Sequence, residues 1–363
     1  MVITNGFTFV AFLMCLAGVL LFAEKYTKSA VLKKVFSFVP PLVWIYVLNM
    51  VFCTLGWFNS EEVSSTYSSL KNPLLYAMIF VMLLRCDIKK LSKLGGRMIA
   101  IFLGGSLSIM LGFVVAFIIF KGSLGGGEVA WPAMAALCAS WIGGSGNMGA
   151  MQAAFPIDAG AYGCALAVDT VYYSVWIALL LIMVKHAHKW DKAVKADTSK
   201  LEAVAAAAAK EVAGEKKKAT SADWVFIIGL AFAVSAFSNW IGGIANNALV
   251  SVGLNMFGSG TVITVFVTIL GLVCAQTKLG KIPAVEELSS ILLYAVVSLL
   301  ASQASLTDLV SAPMWIVAGL VVLVIHVVVY FILSKIFHWD LCMVSTASLA
   351  NIGGSASAPI VAS

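Results

Sequence analysis

The stretch "CASWIGGSGNMGAMQAAF", residues 138 to 155, sets four glycines and an asparagine within seven positions of a chain that is otherwise strongly apolar. Of the 363 residues 61% are hydrophobic and 11% charged, and the mean hydropathy is +1.00. Soluble domains carry about a quarter charged residues. The composition excludes one and defines an integral membrane protein, with no basic surface for nucleic acid. Apolar runs occupy 3–23, 35–58, 73–87, 97–120, 159–184, 224–246, 259–276, 288–303 and 312–334. Most approach the roughly 20 residues needed to cross a hydrocarbon core. The ten-residue alternation of a membrane barrel is absent, so the expected fold is an all-α bundle. The first run has no basic residue before Lys25 and no small-residue cleavage site, so it reads as a retained helix rather than a signal peptide.

Between Lys185 and Ser221 lie nine lysines, five acids and the low-complexity run "AVAAAAAKEVAG", a composition with no apolar face to bury. It reads as a cytoplasmic linker, residues 185–222, between halves 1–184 and 223–363. The seven cysteines fall within or at the ends of apolar runs, without a C-x-x-C pair. That pattern suits buried thiols rather than disulfides or zinc.

The halves match twice in the same order. "LLYAMIFVMLLRCDIKKL" at 74–91 aligns with "LLYAVVSLLASQASLTDL" at 292–309, and "ASWIGGSGNMGAMQA" at 139–153 with "LANIGGSASAPIVAS" at 349–363. An internal repeat is the expectation. If each glycine segment is a re-entrant hairpin and the second half is inverted, 21 of the 23 basic residues share one face, leaving Lys71 and Lys121 opposite. The positive-inside rule favours that arrangement over a first segment that crosses fully, and puts the linker in the cytoplasm of a cell's inner membrane.

Non-helical backbone is tolerated at membrane depth only where protein or a water-filled cavity satisfies it. Gly143, Gly144 and Gly146, with Gly353 and Gly354, permit such a break. Ser145, Asn147, Gln152, Asn351, Ser355 and Ser357 supply polar ligands. Restarting helices direct N-terminal amides at the gap, where an anionic group is favoured, and freed carbonyls suit Na+. Asp169 lies mid-run in "CALAVDTVYYSVWIALL" and needs a partner there; with Thr170, Ser145 and Asn147 it forms the candidate Na+ set. His326, in "VVLVIHVVVY", and Gln303 are accessory candidates.

The paired motifs "ASWIGGSGNMGAMQAAF" and "ASLANIGGSASAPIVA", with this helix pattern, resemble the polytopic bacterial family catalogued as domain-of-unknown-function family 819. That family is grouped with inverted-repeat carriers such as the bile acid:sodium, glutamate:sodium and 2-hydroxycarboxylate transporters and the cation:proton antiporters. The resemblance implies inverted-topology repeats with Gly-rich broken helices or re-entrant hairpins. It further implies scaffold helices (3–58 and 224–276), a mobile core (72–184 and 284–363), an elevator-like alternating-access cycle and a homodimer. The family pattern would add a further membrane helix after Ser363, a counterpart of 159–184. The expected function is Na+-coupled symport of a small carboxylate-bearing organic solute, with no cofactor and no enzymatic role. H+-coupled carriage and a channel are alternatives. A third is a rhomboid-like intramembrane serine protease, in which Gly143-Gly144-Ser145-Gly146 would carry the nucleophile and His326 the base.

Overall fold

The computed structural model describes residues 2–86, 95–196, 218–251, 259–304 and 312–353. The described residues form helices, with no strand among them. In chain order these are α1 (Gly6–Tyr26), α2 (Ala30–Phe38), α3 (Pro41–Thr54), α4 (Glu61–Leu83), α5 (Gly95–Phe120), α6 (Gly127–Gly143) and α7 (Ser145–Ala154). There follow α8 (Ala159–Val184), α9 (Ala187–Val194), α10 (Ser221–Ser251), α11 (Ser259–Ala275), a 3-10 turn (Lys278–Lys281), α12 (Val285–Ala301), α13 (Ala312–Phe337) and α14 (Leu341–Ile352). Each apolar run falls largely on helix, although 35–58 is split between α2 and α3 and 73–87 takes in only the second half of α4. Five helices are long and apolar enough to cross a membrane (α1, α5, α8, α10 and α13), or six if the pair α2 and α3 is one bent span. The bend between them is 87°, at Pro40-Pro41, where proline disfavours a helical conformation in the residue before it. The protein is a multi-pass all-α membrane protein.

The chain divides into two compact units, each drawing on both halves of the sequence. The first comprises residues 1–87, 149–166 and 217–310, and the second 88–148, 167–216 and 311–363. The helices α4 and α12, which the repeat reading assigns to the core, cluster in the first unit with α1, α3, α10 and α11.

In the first unit, helix starts are tied together by side chains. The Asn5 side chain accepts from Thr8 N at 3.1 Å and caps α1, while Glu62 Oε1 accepts from Asn5 Nδ2 and Gly6 N at 3.1 and 2.8 Å. Ser60 caps α4. Such caps supply acceptors to amides that the helix itself leaves unbonded. Behind them Phe9, Leu13, Phe58, Val63 and Leu299 form an apolar cluster. Pro73 lies inside α4 and its carbonyl accepts from Ser235 Oγ of α10 at 2.8 Å. Tyr46 of α3 donates to Ala159 O at the start of α8 at 2.8 Å.

The second unit is built on the antiparallel pair α5 and α13. Small residues on one face of α5 set its register: Gly104 lies against Leu333 and Trp339, Gly105 against Tyr330, and Gly112 against the Val322 backbone. A methyl group at Gly105 would occupy the place of the Tyr330 hydroxyl. In hydrocarbon, where lipid is as apolar as leucine, such close backbone approach drives helix association. α8 packs on the same partner through Tyr172, whose hydroxyl donates to Ile316 O at 2.6 Å and whose ring fits over Gly319.

The beginning of the expected linker is part of this unit. Leu341 N donates to Asp191 Oδ1 at 2.9 Å, His338 Nδ1 donates to Val194 O at 2.8 Å, and Trp190 meets Phe331 edge to face at 5.1 Å. Val194 is buried. Trp190 and Val194 are four residues apart, one helical turn, and give α9 the apolar face that the alanine-rich run lacks.

Candidate functional site

The first glycine segment breaks the helix where the sequence places the break. α6 ends at Gly143, Gly144 adopts φ 95° and ψ 167°, and α7 starts at Ser145. That conformation is open essentially to glycine alone. The turn is closed locally, with Gly144 N donating to Ser140 O at 2.6 Å and Asn147 N to Gly144 O at 2.9 Å. The Asn147 amide folds back into the space a side chain at Gly143 would take. Gly146 is buried in the first turn of α7. Trp141, in the last turn of α6, is fully buried and meets Phe113 and Tyr172 edge to face at 5.4 and 5.9 Å.

Gln152 lies near the end of α7, in the part of that helix belonging to the first unit. It is 4% exposed, and its Oε1 has no hydrogen-bond partner among the described residues. An amide oxygen buried without a protein partner costs roughly 1–3 kcal/mol. A ligand or water would remove that cost.

Asp169 is 6% exposed in α8. It shares a buried stripe with Tyr172 and Trp176, three and seven residues on, and both of those face α13. Thr170, beside it, is half-buried. Gln303 follows the end of α12, in the first unit, where its Nε2 donates to Ser302 O at 3.2 Å.

Around His326 the second unit contains a buried polar network. His326 is fully buried; Ser108 Oγ lies 2.6 Å from its Nδ1 and Ser348 Oγ 2.8 Å from its Nε2. Ser108 Oγ also lies 2.6 Å from Gly105 O, and Ser348 Oγ accepts from Trp176 Nε1 at 2.9 Å. When Ser108 donates its single proton to that carbonyl, His326 Nδ1 donates to Ser108 and Nε2 accepts from Ser348. In this arrangement the neutral imidazole satisfies every partner and is satisfied by them. An added proton would need a further acceptor.

Asn351 extends the network by one turn of α14. Its Oδ1 accepts from Ser106 Oγ at 2.8 Å, and its Nδ2 donates to Phe102 O and Ala347 O, each at 3.1 Å. Tyr330 donates to Ile101 O at 3.1 Å beside them. Ser348 and Asn351 lie on one face of α14, three residues apart, and pin to α5 and α13 the helix that leads into the second glycine segment. α14 ends at Ile352 and is capped by Gly353, with φ −105° and ψ 1°. Gly354, Ser355 and Ser357 lie outside the described residues.

His326 and Asn351, which the sequence singles out, thus meet in one network. Their partners Ser106, Ser108, Trp176 and Ser348 escape sequence reasoning. A signal exists in "GGSLS" at 104–108, where small and hydroxyl residues recur at helical spacing in an apolar run. The two bonded nitrogens of His326 serve Ser108 and Ser348, neither of them the serine of the glycine motif.

A glycine-broken helix and a buried polar network, set in a multi-pass helical bundle, define a membrane protein with a built interior rather than a simple anchor. The family model described as "Protein of unknown function (DUF819)" matches residues 11–363, and the chain belongs to that family. No curated protein and no solved structure matches the chain.

Proposed function

We propose that the protein is a secondary active transporter, a Na+-coupled symporter of a small carboxylate-bearing organic solute working by alternating access. The observation that carries this reading is the break at Gly144. Backbone of this kind at membrane depth requires protein or a cavity around it, and discontinuous helices at mid-membrane are the recurrent substrate and ion sites of carriers. The buried, unpartnered Gln152 oxygen on the helix restarting after the break and the buried Asp169 carboxylate support it. So does the interleaving of both sequence halves in each compact unit, an arrangement that suits a repeat-built carrier with scaffold and core pieces. In this reading Asp169, Thr170, Ser145 and Asn147 hold Na+. The amides at the start of α7 receive the solute carboxylate, and Asn351 with Gly353, Gly354, Ser355 and Ser357 forms the second wall. Two copies form the working assembly in the inner membrane.

Binding by the purified full chain to a panel of organic acids and amino acids, with and without Na+, tests the reading. A hit that strengthens with Na+ at fixed pH, and loses that response in Asp169→Asn, is the expected result. A hit that responds to pH instead, and becomes pH-independent in Asp169→Asn, replaces Na+ by H+. Uptake into proteoliposomes that follows no ion gradient overturns coupled transport, and steady single-channel current replaces it by a channel.

A further inference from the structure

The helix α9 is too short to stand alone. Its 8 residues fall below the roughly 12–15 at which an isolated helix becomes even marginally stable in water, and Val194 alone among them is buried. Its sequence, "AHKWDKAV", offers one further apolar anchor, Trp190 against the ring of Phe331. α9 is therefore helical because it is docked, and its folding and its docking are one event.

It docks onto the corner between α13 and α14. Leu341 N, the first amide of α14, has no acceptor within its own helix and donates instead to Asp191 Oδ1 of α9 at 2.9 Å. Met343 N is capped from within, by Asp340 Oδ1 at 2.8 Å. One helix start thus has two carboxylate caps, its own and a borrowed one. Just before it, His338 has φ 58°, a conformation uncommon for a residue with a side chain and kept where the surroundings hold it. Arg97 Nη2 donates to the His338 carbonyl at 2.7 Å, and His338 Nδ1 donates to Val194 O at 2.8 Å. The second of these holds comes from the last residue of α9.

Docking also has an opposing side. Burial, joined by the charge of Asp191, pushes the Asp340 carboxyl above its ordinary range, so closing α9 brings two carboxylates together. Arg97, 4.0 Å from Asp340 Oδ2, offsets part of this. Two small anchors set against like-charge repulsion make a contact that opens locally, short of global unfolding.

We propose that α9 is a conformational latch on α14. Closed, it supplies the acceptor for Leu341 and a partner for His338. Open, it unfolds and removes both together, so the corner and the first turn of α14 loosen with it. Val194, the buried anchor, is also where α9 passes into the lysine-rich linker. An event that draws the linker away from the corner therefore acts on the helix leading into the second glycine segment. The latch rests on contacts within the second unit and stands apart from the transport reading.

Hydrogen–deuterium exchange of the full chain in lipid nanodiscs, followed in peptides covering 187–196 and 338–345, tests it. In the wild type the two peptides are expected to open together, with one opening constant. Asp191→Ala should raise exchange in both by roughly tenfold, the loss expected for a hydrogen bond to a charged group. Trp190→Ala removes an anchor on α13 and should raise both in step. Asp191→Asn keeps an acceptor and should retain the protection, and Lys189→Gln, at an exposed position of α9, should change neither peptide. Faster exchange in 187–196 with 338–345 unchanged, in Trp190→Ala, overturns the latch. So does an α9 that stays protected in both alanine variants. Exchange that rises equally in α1 and α4 shows that α9 opens only with the whole protein, and overturns it as well.

Discussion

Both glycine segments follow a helix of the second unit, yet the two helices reach them by different means. At Gly144 the shape is local: a backbone angle reserved for glycine, two turn hydrogen bonds, and an asparagine four residues on folded over Gly143. At the end of α14 the glycine has an ordinary negative φ, and the approach is held by distant partners, His326, Trp176, Ser106 and the Phe102 carbonyl. The break at Gly144 is therefore specified by its own residues, and the end of α14 by its surroundings. Breaking each with the same kind of change separates them.

The largest effect is expected from His326→Ala, which opens a cavity and leaves Ser108, Ser348 and Trp176 to find other partners. Loss of about 3–4 kcal/mol is expected, read as reduced thermal stability of the detergent-solubilised protein. A change below 1 kcal/mol would show that α14 is held by packing alone.

Gly144→Ala comes next, at about 2 kcal/mol, because a Cβ is strained at φ 95°. It should also abolish any Na+-stimulated binding. If stability falls but binding survives, the break is an element of folding and not of the site.

A smaller effect is expected at the opposite end of α14. Burial, reinforced by the Asp191 charge, raises the Asp340 carboxyl above its ordinary range, while the Met343 amide and Arg97 work the other way. A raised folded-state value means that this group's favourable contribution is complete below the unfolded-state value and is lost as pH rises through the folded one. Melting temperatures measured from about pH 4 upward should therefore show Asp340→Asn gaining on the wild type as pH rises. A gain as pH falls would reverse the sign of the argument.

Gly353→Ala should do least, within about 0.5 kcal/mol, since φ −105° and ψ 1° lie in a region open to other residues. A loss as large as that of Gly144→Ala would erase the distinction between the two helix ends.

The same distinction explains what the sequence discloses. Helix positions are legible because hydropathy within one run decides them, and the first break is legible because Gly143-Gly144 needs no partner outside its own turn. The network is not. Ser108 and Ser348 read as ordinary small residues of apolar helices until tertiary contact brings each to His326. The docked α9 is obscured for another reason: its two apolar anchors, Trp190 and Val194, are diluted among lysines, and their partners Phe331 and His338 lie more than 130 residues further on. The bend at Pro40-Pro41 falls inside one continuous hydropathic run, which measures length and not direction.

The bonds joining α5 to α13 and α14 link positions 218 and 245 residues apart. During synthesis α5 therefore leaves the ribosome long before its partners exist. Its glycine face and its two serines must wait in the membrane through the making of at least α6 to α12. The unit's core closes only once α13 and α14 have been inserted. A chain truncated before α13 would present the same face to lipid, and to quality-control proteases, without the partner that conceals it.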